Sequence, residues 1–237
     1  MRLPHRWLAF TALSCSPGSA PGPPTDAALL ERARARMVAE QIEARGVRDA
    51  RTLQAMRDVP RHLFVPEAQR PSAYEDHPLP IGHGQTISQP YIVAFMTEAL
   101  GLQGGETVLE VGTGSGYQAA VLARIAARVH SIEIVEPLAA EARQRLAKLG
   151  YQNVEVRAGD GYLGWPEAAP FDGIMVTAAA PRVPEPLKEQ LKDGGRLVIP
   201  VGDELQELMV VTRHGSAFEE RRILPVRFVP MTGKVRR

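Results

Sequence analysis

A glycine-rich turn is the part of this 237-residue sequence with the clearest capacity for chemistry. The apolar run 108–111 leads into Gly112, Thr113, Gly114 and Gly116, and a helical pattern follows. Glycine lets the backbone take positive φ and lets a ligand approach closely, and the N-terminus of the next helix favours a negatively charged group. The turn therefore predicts a nucleotide-like ligand lying across the end of a strand.

The spacing of these glycines separates two kinds of nucleotide site. A dinucleotide-binding turn has glycine at its sixth position, which here is Tyr117, and the third glycine is instead Gly116. Glu110 stands two places before Gly112. This variant resembles the first motif of class I S-adenosylmethionine-dependent methyltransferases, in which the amino-acid end of the cofactor lies over the glycines. Glu110 suits a cofactor that carries a cation; the alternative is a strand-end carboxylate that caps backbone amides.

Two further strand ends carry carboxylates. Glu133 closes the next apolar run, 21 residues after Gly112, where it can accept both hydroxyls of a ribose. Asp160, followed by Gly161, comes after the third run and can accept a hydrogen bond from an adenine amino group. The alternatives are a solvated acid for Glu133 and a simple Asp-Gly turn for Asp160. Because the carboxyl ends of parallel strands meet at one edge of a sheet, all three features are expected to face one ligand.

The elements that must position these residues alternate between strand and helix. Such alternation predicts an α/β fold, a doubly wound, Rossmann-like, mostly parallel sheet of about seven strands, ending in an antiparallel C-terminal hairpin. The predicted strands are 107–111, 129–134, 154–157, 171–177, 196–201, 208–212 and 221–226. The predicted helices of this part are 116–127, 136–149 and 185–192.

An N-terminal helical extension precedes the sheet. Apolar residues at three-and-four spacing predict a helix from Asp26 to Gly46, and a second short helix follows from Asp49. The segment 60–90 is a long loop of the kind that is usually functional, and its Ser88 is expected to cap a helix with Pro90 in the first turn. We expect one domain over 26–237, with 26–103 carrying the helices and substrate segment and 104–237 the cofactor-binding sheet.

Composition excludes several classes of protein. There are 28 basic and 27 acidic residues, and a net charge of +1 is not the excess of Lys and Arg that is typical of nucleic-acid-binding proteins. The single cysteine, Cys15, excludes an intrachain disulfide framework. His62, His77 and His83 match no common zinc spacing, so no metal is expected, and Glu75 and Asp76 are interpreted as solvated loop residues. No apolar run reaches the roughly 20 residues that a membrane span needs.

The first 25 residues differ from the rest of the chain. Basic residues, a short apolar run and a Ser-Pro-Gly tract vaguely resemble a secretory signal. The interpretation is a disordered extension or a misassigned start, with targeting as the alternative. The expected compartment is the cytoplasm, or export if residues 1–20 act as a signal.

A more specific resemblance rests on the segment 84–90, which reads GQTISQP and precedes the glycine turn. Supporting segments are VPRHLFVP at 59–66, FDGIMVTA at 171–178, DGGR at 193–196 and RFVP at 227–230. Together they resemble the protein-L-isoaspartate O-methyltransferase family over about residues 30–235. General methyltransferases lack the first of these segments.

The resemblance implies methyl transfer from S-adenosylmethionine to the α-carboxylate of L-isoaspartyl residues in damaged proteins and peptides. The methyl ester then closes to a succinimide, which partly reopens to normal aspartate, so the implied function is protein repair. The acceptor has a pKa of about 3.5 and is already ionised, so no general base is required. The enzyme must instead position it in line with the methyl group, which is worth roughly 7 to 11 kcal/mol of barrier.

The resemblance also assigns residues. Ser88 is the active-site residue, which orients the substrate carboxylate or the cofactor; its alternative role is the helix cap. Thr86 and Ile87 are expected to contact the cofactor and cover the methyl group, and Thr232 to reach back to the site from the C-terminal part. No nucleic acid or membrane partner is expected, and the chain is expected to act as a monomer.

Three other functions stay open at this point. A nicotinamide-dependent dehydrogenase would share the fold and Glu133, but it would carry a glycine at position 117. Another class I methyltransferase, acting on a small molecule or RNA, is the main alternative. A non-enzymatic binding module with a relic cofactor pocket is the third. Stabilisation by S-adenosylhomocysteine but not by NAD separates the methyltransferases from the dehydrogenase.

Overall fold

The computed structural model describes residues 26–236, and the prediction for the first 25 residues lies outside this range. The N-terminal extension begins with α1 (Asp26–Arg36), continues through a π-helical turn (Met37–Ile42) and ends at Gly46 with φ of 102°. The predicted apolar face is buried at Met37, Val38 and Ile42. Helix α2 (Ala50–Asp58) follows, capped by the Asp49 side chain, which accepts from Thr52 N.

A seven-stranded sheet forms the centre of the molecule, as predicted. Its strands are β3 (Thr107–Val111), β4 (Arg128–Glu133), β5 (Val154–Ala158), β6 (Phe171–Val176), β7 (Leu191–Val201), β8 (Gln206–His214) and β9 (Ala217–Val226). Their order in the sheet is β5-β4-β3-β6-β7-β8-β9, with the first five strands mutually parallel and β8 and β9 each antiparallel to the strand before it. The predicted C-terminal hairpin is β8 and β9, and the sheet reverses direction at β8.

Helices α4 (Tyr117–Ala123), α5 (Glu136–Lys148) and α6 (Glu185–Glu189) connect the parallel strands. Both α4 and α6 are shorter than predicted. The chain leaves α6 early because Leu191 is wholly buried and pairs with Phe171, so β7 starts five residues before the predicted strand. Apolar side chains cover both faces of the sheet in two buried clusters.

The segment 60–90 contains a hairpin that the sequence did not reveal. Strands β1 (Leu79–Gly82) and β2 (Gln85–Ile87) pair antiparallel around a tight turn at His83 and Gly84, whose φ values are 51° and 69°. Strands this short carry too little alternation to be recognised. The hairpin places the residues after β2 beside the glycine turn.

Helix α3 (Pro90–Leu100) follows the hairpin, and its start corrects one prediction. The cap position is Gln89, whose carbonyl oxygen accepts from Val93 N, and no side chain caps this helix. Ser88 lies one residue outside the cap. Because Pro90 has no N–H to satisfy, a serine cap is less needed here than the pattern suggested.

A C-terminal segment (residues 227–234) returns across the carboxyl edge of the sheet. The segment follows β9, and its Pro230 pairs with Ala179, which lies after β6. Farther on, Lys234 N donates to the Asp160 carboxylate after β5, at 2.8 Å. Phe228 is held on the way by reciprocal hydrogen bonds with the Gln206 side chain. The segment therefore runs along the ends of the strands that carry the predicted site.

Within residues 26–236, none of the helices has the length and apolar character needed to cross a bilayer.

Candidate active site

A cavity opens at the carboxyl edge of the sheet, between the glycine turn and the C-terminal segment. Its walls include Thr86 from the hairpin, Gly112 and Gly114 from the turn, Glu133 at the end of β4, and Gly161 after β5. Thr232 closes the opposite wall, beside residues 229–231. Six of the predicted site residues therefore line one space, although they come from five separate stretches of chain.

The glycine turn is shaped by Thr177, the residue after β6. Gly112 has φ of 99°, and a Cβ at this position would lie 2.3 Å from Thr177 Oγ1. The Thr177 hydroxyl donates to the Gly112 carbonyl oxygen at 2.6 Å. Gly114 also has positive φ, 52°. The turn thus presents bare backbone to the cavity, which is the surface that a closely approaching ligand needs.

Glu133 is held rigidly although it lines the cavity. Its side chain is 5% exposed, and its two carboxylate oxygens accept from Gly114 N at 2.8 Å and Val135 N at 2.9 Å. A carboxylate offers about four acceptor positions, so two of them are left for a ligand. The residue both fixes the turn and offers acceptor capacity to hydroxyl groups in the cavity.

Glu110 takes a different position from the one expected. It is fully buried, lies outside the cavity lining, and accepts a short hydrogen bond from the Ser131 hydroxyl. Ser131 Oγ lies 2.5 Å from Thr113 Oγ1 in the glycine turn. Burial, reinforced by the nearby Glu133 charge, raises the pKa of Glu110 to about 8. Glu110 is thus linked to the glycine turn through the hydroxyl groups of Ser131 and Thr113.

Asp160 and Gly116 also lie outside the cavity lining. The Asp160 carboxylate accepts from Tyr162 N at 3.0 Å and from Lys234 N at 2.8 Å, so it fastens the C-terminal segment to the sheet edge. Gly116 has φ of 87°, and a Cβ there would lie 3.2 Å from Leu146, which shows that it serves the packing of α4 against α5.

A second space, a cleft of about 620 Å³, adjoins the first. It is lined by Ser88 and Gln89 on one side and by the chain around Arg227 and Phe228 on the other. Thr86 and Thr177 border both the cleft and the cavity. The molecule thus has two neighbouring spaces that share Thr86, Thr177 and Val229 in their walls.

A small chamber shares lining residues with both spaces. Ser88 and Ile87 line it together with Gly112 and Thr113, so Ser88 faces both the cleft and the chamber. Ile87 is buried and contributes an apolar wall. The structure therefore brings the predicted catalytic serine to the junction, where groups bound in the cavity and in the cleft would meet.

Sequence reasoning missed two contributors to this region. Thr177 follows β6 at the same sheet edge as Gly112, so extending the strand-end argument by one strand would have found it. Asp76 was interpreted as solvated, but its carboxylate accepts from Arg45 Nη1 at 2.7 Å and from Gln89 Nε2 at 2.8 Å. No sequence signal links these three residues, because the contacts span 31 and 13 positions.

Among residues 26–236 there is no group of three or more His, Cys, Asp or Glu side chains that could hold a metal ion.

Comparisons with known proteins give one consistent result. A family model described as Protein-L-isoaspartate(D-aspartate) O-methyltransferase (PCMT) matches residues 32–236. Among curated proteins, the chain is similar to Protein-L-isoaspartate O-methyltransferase 1 of Syntrophobacter fumaroxidans. The two are 58% identical over 205 residues, which cover 86% of this chain and 96% of that protein.

Solved structures agree with the sequence relatives. The chain is similar to a structure named protein-L-isoaspartate O-methyltransferase, with a TM-score of 0.79 and 32% identity, covering 85% of this chain and 67% of that one. It is also similar to a putative protein-L-isoaspartate O-methyltransferase from Plasmodium falciparum in complex with S-adenosyl-L-homocysteine. That match has a TM-score of 0.73 and 26% identity, and it covers 84% of this chain and 98% of the other.

Proposed function

The chain belongs to the protein-L-isoaspartate(D-aspartate) O-methyltransferase family, and from that premise we propose that it methylates the α-carboxylate of L-isoaspartyl residues in damaged proteins and peptides. The enzymes of this family depend on S-adenosylmethionine and serve protein repair. The observation that carries the proposal for this chain is the pairing of the cavity at the glycine turn with a second cleft, joined at Thr86, Thr177 and Ser88.

The cavity fits the cofactor on two grounds. Gly112 and Gly114, both with positive φ, present backbone without side chains to the cavity, so a ligand can approach closely. Glu133 keeps acceptor positions for the ribose hydroxyls after satisfying Gly114 N and Val135 N. We propose that Thr86, Gly112, Gly114, Glu133, Gly161 and Thr232 contact the cofactor, that Ile87 and Thr113 line the chamber at the reaction centre, and that Glu110, Gly116 and Asp160 act by shaping the site.

When bound, S-adenosylmethionine supplies an electrophilic methyl group on a sulfonium. The task of the protein is to hold the acceptor carboxylate in line with that methyl group. The acceptor is ionised at neutral pH, so the site needs no base, and a hydroxyl donor that fixes one carboxylate oxygen leaves the other free to react. We assign this donor to Ser88, which lines both the cleft and the chamber beside Gly112.

Water exclusion is the second requirement, because a hydrated carboxylate is a weaker nucleophile. Ile87 and Met231 are buried on the hairpin side and the C-terminal side of the site. Val93, at the start of α3, adds a further apolar surface to the chamber. These side chains give the reaction centre apolar walls on several sides.

We also propose that the protein acts as a monomer without nucleic acid or membrane partners, in the cytoplasm, with export as the alternative if residues 1–20 act as a signal. The net charge of +1 supports the proposal that nucleic acid is not a partner. The division into 26–103 and 104–237 is likewise proposed as two parts of one domain. Size-exclusion chromatography with light scattering and cell fractionation test the oligomeric state and the compartment.

The function is tested by labelled methyl transfer from S-adenosylmethionine to a peptide containing isoaspartate, with its ordinary-aspartate twin as the control. The expected result is label in the isoaspartyl peptide alone. Equal label in both peptides, or in neither, contradicts the proposal. S-adenosylhomocysteine is expected to raise the melting temperature, and stabilisation by NAD instead of this ligand would favour a dehydrogenase.

A further inference from the structure

We infer that Asp76 is a positioning residue that sets the place of Ser88 by gripping the first turn of α3. The inference rests on the proposed function, because it assigns a role in the same methyl transfer. Asp76 lies before the hairpin and lines neither the cavity nor the cleft, so it acts through other residues.

The grip is a chain of contacts that links the side chains of Gln89, Asp76, Arg45 and Tyr91. Asp76 accepts from Gln89 Nε2 through its carboxylate, at 2.8 Å, and through its carbonyl oxygen, at 3.1 Å. The same carboxylate oxygen accepts from Arg45 Nη1 at 2.7 Å. The Arg45 guanidinium in turn lies over the ring of Tyr91, 3.6 Å from its centroid. The Arg45–Asp76 pair therefore holds the residues on both sides of Pro90.

Local structure around Ser88 explains why such a grip is needed. Ser88 and Gln89 lie between β2 and α3 and belong to neither element. Pro90 cannot donate a backbone hydrogen bond, and no side chain caps the helix. Without an external tether, the backbone torsions of these two residues would be constrained only by the elements on either side. The Gln89 side chain, anchored 13 positions away, supplies the missing constraint.

The Arg45–Asp76 pair has the geometry of an interaction that orients more than it stabilises. The side chains are 43% and 28% exposed, so solvent screens the pair, and its contribution to folding is small. Its geometric effect is larger, because a misplacement of about 1 Å at a reacting group can cost on the order of a hundredfold in rate. The expected signature of losing Asp76 is therefore a slower reaction in a protein that still folds and binds its cofactor.

The test replaces Asp76 by asparagine (Asp76→Asn) and measures kcat and KM on the isoaspartyl peptide, the S-adenosylhomocysteine dissociation constant by calorimetry, and the melting temperature. We expect kcat to fall about tenfold or more with the dissociation constant within about twofold of the wild type. The matched control is Glu75→Gln. Glu75 is the adjacent carboxylate, is exposed and pairs with His77, so this variant is expected to match the wild type.

A second measurement separates positioning from a general structural effect. If Asp76 acts through Ser88, Asp76→Asn should lower kcat by less than about twofold in a Ser88→Ala background, since coupled residues are non-additive. An equal loss in both backgrounds overturns the inference. So does a parallel loss of kcat and cofactor affinity, or wild-type kcat in Asp76→Asn.

If Asp76→Asn fails to fold, Arg45→Met breaks the other half of the grip, and the same result is expected of it. Wild-type kcat in that variant likewise overturns the inference. An inactive wild type that still binds S-adenosylhomocysteine contradicts the proposed function instead. The two failures are therefore distinguishable in one set of assays.

Discussion

The hydroxyl of Thr177 donates to the carbonyl oxygen of Gly112 at 2.6 Å, in the space that a side chain at position 112 would need. Two strand ends, those of β3 and β6, are thereby joined at the point where the chain turns toward the cavity. The contact explains why the first position of this turn is a glycine: both the φ of 99° and the approach of Thr177 exclude a Cβ.

Gly112→Ala is expected to lower the melting temperature and to weaken cofactor binding. The left-handed conformation alone costs about 1 to 2 kcal/mol for alanine, or roughly 2 to 8 °C in a chain of this size. Differential scanning calorimetry and titration with S-adenosylhomocysteine measure the two effects. Gly105→Ala is the control, because nothing lies within 4 Å of its Cβ position. Equal behaviour of the two variants would contradict the prediction.

Glu133→Gln is expected to weaken S-adenosylhomocysteine binding at least about tenfold, since a hydrogen bond to a charged group contributes roughly 1.5 to 3 kcal/mol. The amide also turns an NH₂ group toward the Gly114 or Val135 N–H and so disturbs the turn. Isothermal titration calorimetry measures the effect. The control is Glu136→Gln, at the exposed start of α5. An unchanged dissociation constant for Glu133→Gln refutes the role of this carboxylate.

Ser88→Ala is expected to lower kcat on the isoaspartyl peptide while leaving cofactor affinity and stability unchanged. A serine that capped α3 would cost about 0.5 to 2 kcal/mol on removal, but the cap position is Gln89. Urea unfolding measured beside the kinetics therefore separates the two roles. Ser216→Ala, in the exposed turn between β8 and β9, serves as the control. If Ser88→Ala keeps the wild-type kcat but is less stable, the role of Ser88 is structural and the prediction is wrong.

Glu110→Gln is expected to flatten the dependence of stability on pH. Burial raises the pKa of Glu110 from an ordinary value near 4.5 to about 8, so between these values the folded protein binds more protons than the unfolded chain. The free energy of unfolding of the wild type should therefore fall as pH rises from about 5 to 8, by at most about 1.4 kcal/mol per pH unit from this group. Glutamine stays neutral and can accept from Ser131.

The measurement for Glu110 is urea unfolding of both proteins at pH 5.5 and 8.0. The difference between wild type and variant isolates this group, because every other titrating residue is common to both. A stability difference that does not change between the two pH values would show that Glu110 is not the proton-holding group.

The sheet could be predicted because its strands are short apolar runs separated by helices. The apolar composition of each run is enough to indicate a buried strand. Glu133 was found by the same logic, as a carboxylate directly after such a run. The hairpin of β1 and β2 was missed because a strand of three or four residues is too short to show the alternation of apolar and polar residues. Helix α6 was overextended because the pairing of Leu191 with Phe171 is a contact across 20 positions.

For two carboxylates the structure adds hydrogen-bond partners that the sequence did not indicate. Asp160 has the sequence signature of a ligand-facing strand end, but one of its partners, Lys234 N, lies 74 positions away. Asp76 has the signature of a solvated loop acid and is instead held by Arg45 and Gln89. In both residues the side-chain type predicts an acceptor, and only the tertiary structure identifies the donor.

The C-terminal segment that crosses the sheet edge has a consequence for biosynthesis. The strands that bear the glycine turn and Glu133 are complete once the ribosome has passed β7, yet residues 229–232 supply one wall of the cavity and Lys234 N fastens that wall to Asp160. A nascent chain therefore contains the glycine turn and Glu133 well before it contains the residues that complete the cavity around them. All of the cavity walls, with the bond that fastens the last one, are present only after translation has moved beyond position 234.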